Sequence, residues 1–150
     1  MTSFEEELER NGSIVFTNKG VSMMPLLRQD RDLMVIVKKG PERCRKYDAV
    51  LFKRGEKYVL HRILKVREKD YYIVGDNCRR GEYVRDEQII GVLAQVVRDG
   101  RTITPEDPDY QRYVHLWCDF FPVRAGLFFV RDGVRHVGRE LKKRLGGHKG

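Results

Sequence analysis

A serine, a histidine and two aspartates are spaced along this 150-residue chain where they could support acyl transfer. Gly20-Val21-Ser22-Met23-Met24-Pro25-Leu26-Leu27 sets a hydroxyl between a permissive glycine and a proline that drives Met24 out of helical geometry, so Ser22 is expected on a defined turn. A hydroxyl there either satisfies its own backbone or acts as a nucleophile, and a lone G-x-S does not decide between them. In Val59-Leu60-His61-Arg62-Ile63 strict alternation places Val59, His61 and Ile63 on one largely apolar face. Such a histidine is either a satisfied core residue or a base that burial keeps neutral and able to take a proton. Asp76 of Gly75-Asp76-Asn77 and Asp86 of Val84-Arg85-Asp86 both fall near strand ends. Asx side chains close turns, so the Asp76-Asn77 pair fits turn chemistry as well as function.

These residues need a scaffold, and the pattern around them is that of short strands. Ile14 to Thr17, Leu33 to Val37, Ala49 to Phe52, Tyr58 to Val66, Tyr71 to Val74, Gln88 to Arg98 and Arg101 to Ile103 are apolar or alternating runs rich in β-branched and aromatic residues. Lys69-Asp70 and Asp99-Gly100 read as the turns between consecutive runs. Residues Ser3 to Arg10 predict a short helix: Ser3 caps it, Phe4 and Leu8 share a face, and Asn11-Gly12 ends it. Beyond Thr104-Pro105 the period lengthens, and Tyr110 to Leu145 predicts one or two helices broken near Pro122. The expected architecture is therefore mainly β and antiparallel, with a β unit over residues 1–104 that includes the N-terminal helix, and a basic helical extension over 105–150.

Composition narrows the class further. Hydrophobic residues at 41% suffice for one core, and charged residues at 35% with few glycines and prolines exclude collagenous and wholly disordered chains. Three cysteines, Cys44, Cys78 and Cys118, form no C-x-x-C pair and cannot all bond internally, which argues against a structural zinc site or disulfide framework and for a reducing compartment. The acidic start Glu5-Glu6-Glu7 is not that of a secretory signal, and Val114 to Val130 is interrupted by His115, Asp119, Pro122 and Arg124. Neither a secretory signal nor a membrane span is expected, and a cytoplasmic or peripheral membrane location follows.

The segments that carry the serine, histidine and acids occur together and in one order, and here the chain resembles the serine endopeptidase family of signal peptidase I and the LexA-type self-cleaving repressors. The family's S-M-x-P-x-L box is matched by Ser22-Met23-Met24-Pro25-Leu26-Leu27. Its G-D-x-V-x-F segment, followed by the strand bearing the general base before Arg, is matched by Tyr47-Asp48-Ala49-Val50-Leu51-Phe52 and His61-Arg62-Ile63. Its G-D-N box with a later Asp and Gly is matched by Gly75-Asp76-Asn77, Asp86 and Gly91. The likeness covers about residues 13–103. It implies a partly open β-barrel of the LexA and signal peptidase kind, with Ser22 as nucleophile, His61 as general base, Asp86 as the acid that orients it, and Asp76 and Asn77 supporting the turn. The backbone N–H of Ser22 is the first oxyanion donor implied, and no cofactor or metal is called for. Histidine at the base's position resembles the archaeal and endoplasmic reticulum branch rather than the bacterial enzymes, which carry lysine. Gly20 stands where many signal peptidases have a serine, Tyr47 stands where the second box has glycine, and no counterpart of the family's N-terminal membrane anchor is expected from the residues before Ser22.

The resemblance implies a precursor or leader peptide as substrate. A binding module that keeps the same fold and presents a peptide groove, or a membrane-surface adaptor, is the rival reading. Residues 110–150 hold nine Lys and Arg against three acids, beside Trp117, Phe120, Phe121, Leu127, Phe128, Phe129 and Val130. That combination suits peripheral contact with an anionic membrane, or a helix packed over the sheet with a solvated basic end. No helix-turn-helix signature precedes the peptidase-like region, so nucleic acid is not the expected partner.

Overall fold

The computed structural model describes residues 3–17 and 32–146. Eight strands form one antiparallel sheet: β1 (Ser13–Thr17), β2 (Leu33–Lys38), β3 (Ala49–Arg54), β4 (Lys57–Val66), β5 (Tyr71–Val74), β6 (Glu82–Val84), β7 (Ile89–Arg98) and β8 (Arg101–Ile103). The spatial order is β1-β2-β7-β3-β4-β5-β6, with β8 paired to β7. β1 and β6 stand at the two edges, so the sheet stays open rather than closing into a barrel. Helix α1 (Phe4–Asn11) precedes the sheet, and α2 (Pro108–Asp119) and α3 (Phe121–Gly146) follow it. Mainly antiparallel β with a short leading helix and trailing helices is the class the sequence pattern implies.

Local chemistry sets the boundaries. Ser3 caps α1 by accepting from the Glu6 N–H, and Gly12 closes it at φ 78° with its N–H on the Leu8 carbonyl. Arg98 pairs with Arg101 across Asp99-Gly100, and both turn residues take positive φ, the geometry that matches strand twist in a two-residue hairpin. Pro108 occupies the first turn of α2, where its missing N–H costs nothing. The break between the trailing helices falls at Phe120, two residues before Pro122; the proline sits in the first turn of α3 and does not end a helix. Strand β6 has no apolar run of its own and, among the described residues, pairs only with β5, which is why periodicity does not announce it.

Both faces of the sheet carry apolar clusters. On one, Leu8 of α1 joins Ile14, Met34, Ile36, Leu51, Leu60, Leu93 and Val96, and Phe4 stacks on Phe16 with ring centres 5.4 Å apart. On the other, Val50, Phe52, Ile63, Tyr71, Ile73, Val84 and Ile89 gather beneath the segment around Cys44. Helix α2 packs Tyr110, Val114 and Cys118 against Tyr47, Leu64 and Ile103. Gly91 of β7 lies under α1: a Cβ there would overlap Ile36 Cγ2 and come within 3.0 Å of the Val37 carbonyl oxygen. Gly91→Ala is therefore expected to lower stability by about 1–3 kcal/mol, read as a reduced urea midpoint with an unchanged slope.

Candidate active site

His61 sits mid-strand on β4, on the face away from α1. Cross-strand register aligns it with Val50 of β3, then Val92 of β7 and Val37 of β2, so a row of valines runs from the imidazole toward the β1 edge. The ring of Phe52 lies 6.0 Å from the imidazole, edge on. The His61 side chain is 12% exposed. Burial pushes its pKa down to about 4 against the partial opposition of Glu82, with the Arg54 charge lowering it further and Asp76 raising it. The ring is therefore neutral near pH 7, as a proton acceptor must be.

The acid that faces this ring is Glu82. Its Oε1 lies 4.0 Å from His61 Nδ1, and its carboxylate is gripped by the Arg54 guanidinium, with Nε donating to Oε2 at 3.1 Å. β6 brings it there, since Ile63, Ile73 and Glu82 fall in one row across β4, β5 and β6. Asp86 is not brought to His61. Its Oδ1 accepts from the Tyr71 hydroxyl at 2.6 Å and its Oδ2 from Lys39 Nζ at 3.0 Å. Burial works against its charge, but these two donors and the Lys39 charge hold its pKa below the ordinary carboxylate value. Asp86 thereby ties the end of β2 to β5, because Tyr71 also takes the Cys44 N–H at 3.0 Å.

Asp76 belongs to the opposite face. Adjacent residues on a strand point opposite ways, so Arg62, next to His61, enters the interior. Arg62 Nε and Nη2 donate to Asp76 Oδ1 and Oδ2 at 2.8 and 3.0 Å, with both side chains 1% exposed. Arg62 Nη1 donates to the Tyr47 carbonyl at 2.8 Å and to the Tyr110 hydroxyl at 3.2 Å. Burial opposes the guanidinium charge, but Asp76 and Tyr110 overcome it and hold the pKa well above its usual value. The Tyr113 hydroxyl donates to Asp76 Oδ2 at 2.7 Å, and Trp117 Nε1 donates to the Asp76 carbonyl. Asn77 Oδ1 accepts from Arg131 of α3 at 3.2 Å. The turn after β5 is thus held by β4 on one side and by α2 and α3 on the other.

Tyr47, at the position where the resembled family has glycine, takes a glycine's conformation at φ 80°. Such a backbone costs a residue with a Cβ about 1–2 kcal/mol. The tyrosine offsets this through contacts that glycine could not make: its hydroxyl donates to Asp119 at 2.7 Å, and its ring centre lies 4.5 Å from that of His115.

Ser22, its backbone N–H and the whole Gly20 to Leu27 motif lie outside the described residues. No group of three or more His, Cys, Asp or Glu among the described residues is arranged to hold a metal ion. The sequence reading missed Glu82 and Arg54, for which no local signal exists, because only the pairing of β6 brings Glu82 near His61. It also missed the Arg62–Asp76 pair, for which there was a signal: a charged residue inside an otherwise apolar strand, pointing inward, requires an acid. No protein-family model matches the sequence, and no curated protein does either.

An unfolded histidine takes its proton near pH 6.5, whereas His61 in the folded protein does so only near 4, so between these values the unfolded chain binds more protons. Stability attributable to this residue is present above pH 6.5 and falls as the pH drops, by about 2 kcal/mol at pH 5. Urea midpoints of the wild type and of His61→Gln at pH 7 and pH 5 test this: the variant is expected to lose less stability over that interval.

Proposed function

We propose that this protein is a serine endopeptidase of the signal peptidase I kind, cleaving one bond of an extended precursor or leader peptide. Ser22 Oγ attacks the scissile carbonyl while His61 takes its proton; the tetrahedral intermediate collapses, the protonated imidazole gives that proton to the leaving amine, and water repeats the sequence to release the acyl group. The backbone N–H of Ser22 serves as an oxyanion donor. Glu82, steadied by Arg54, is the acid best placed to orient the imidazole and to stabilise it once charged.

The observation that carries this reading is His61 itself. It is a neutral, largely buried imidazole at the end of a row of valines, with a carboxylate beside Nδ1, in a sequence whose serine, histidine and G-D-N segments stand in the family's order. The half-buried Val92 and the exposed Val37 and Val15 offer apolar contact to a peptide, and the edge of β1, which no other described strand pairs, offers backbone hydrogen bonds to an extended chain. The family resemblance implies small residues before the scissile bond.

A fluorophosphonate probe and an extended peptide with small residues before the cleaved bond test the proposal. Wild type is expected to label and to cleave, and Ser22→Ala and His61→Ala each to lose about 1,000-fold or more in kcat/KM. Glu82→Gln is expected to lose at least about tenfold, and more than Asp86→Asn. Equal behaviour of wild type, Ser22→Ala and His61→Ala would make the protein a peptide-binding module on the same fold. A larger loss from Asp86→Asn than from Glu82→Gln would return the orienting role to Asp86.

A further inference from the structure

We propose that α3 is a lipid-docking helix that lays its apolar stripe on an anionic bilayer surface, independently of whether the protein is a peptidase. Val123, Leu127, Val130, Val134, Val137 and Leu141 recur at alternating spacings of four and three within this one 26-residue helix, and each is between 53% and 66% exposed. Residues at such spacing share one helix face. That face points away from the body of the protein. The opposite side of the helix's first half makes the contacts with it: Phe128 meets Trp117 edge on at 6.1 Å, and Arg131 reaches Asn77. At 1.5 Å per residue the helix is about 39 Å long, so a long, narrow apolar surface faces solvent.

Charge decides what covers it. Residues 121–146 hold seven Lys and Arg against two acids, a net +5. Arg135, Arg139 and Lys142 are exposed and take no ion-pair partner among the described residues. A second copy of this helix seated on the stripe would bring two such charges together. An anionic headgroup layer instead attracts the helix: Lys142 and Arg135 lie toward one flank of the stripe and Arg139 farther round on the polar face, while the valines and leucines enter the acyl boundary. No described helix is long and apolar enough to cross the membrane, so the contact is interfacial. Because Arg131 holds Asn77, next to the Asp76 that pairs with Arg62, docking would fix the His61 strand relative to the lipid surface.

Co-sedimentation of the full chain with phosphatidylcholine vesicles, with and without about one-third phosphatidylglycerol, tests this. The protein should pellet only with the anionic vesicles and be released by high salt. Leu127→Glu with Val134→Glu should weaken binding about 100-fold, with the circular dichroism spectrum and the unfolding midpoint of the sheet unchanged. Arg135→Glu, Arg139→Glu and Lys142→Glu together should weaken it about tenfold or more. Failure to pellet with anionic vesicles would overturn the proposal, as would binding that the Leu127→Glu and Val134→Glu changes leave intact. A concentration-dependent dimer abolished by those two changes, without vesicle binding, would give the stripe to a second copy instead.

Discussion

Arg62 is a permanent cation with 1% of its surface exposed, and burying such a charge costs several kcal/mol unless its donors are met. Meeting them dictates much of the architecture. Asp76 must follow β5 closely enough to return to β4, the Tyr47 carbonyl must turn inward even at the cost of a left-handed backbone, and α2 must bring the Tyr110 hydroxyl to the same Nη1 that the Tyr47 carbonyl meets. The guanidinium also lies 5.4 Å from the centre of the Tyr110 ring and 5.9 Å from that of Tyr113. One buried ion pair thus joins strand, turn and helix, and the next residue along the strand is His61.

That adjacency couples the two faces of the sheet. Inward, Arg62 fixes the rotation of β4; outward, the same rotation sets His61 among Val50, Phe52 and Val59. A rigid inner anchor holds the imidazole in its apolar setting without any hydrogen bond to the ring from the described residues, and the apolar setting keeps it neutral. Asp86 performs a comparable task at the other end of the same face, binding Tyr71 and Lys39 so that the segment around Cys44 closes over the lower cluster.

Where local chemistry decides, the sequence suffices. Ser3 and Gly12 bound α1, Asp99-Gly100 makes its hairpin, and the alternation in Tyr58 to Val66 places His61 and Arg62 on opposite faces. Where pairing across distant strands decides, it does not. Glu82 reaches the histidine through two strand registers, and Asp86 is engaged by a lysine 47 residues before it. Tyr47 takes a glycine's backbone geometry because Arg62 and α2 stabilise it from outside its own segment, which no propensity encodes. The exposed stripe of α3 was present in the sequence as spacing, but its outward direction depends on which side of the helix meets Asn77 and Trp117.

Amide hydrogen exchange on Asp76→Asn addresses the role of the ion pair most directly. With Arg62 left buried beside a neutral partner, the amides of α2 and of the central part of β4 are expected to lose protection together, with a stability loss of about 3–5 kcal/mol. Protection of α2 and β4 indistinguishable from wild type would contradict the claim that this pair holds helix, turn and histidine strand as one unit.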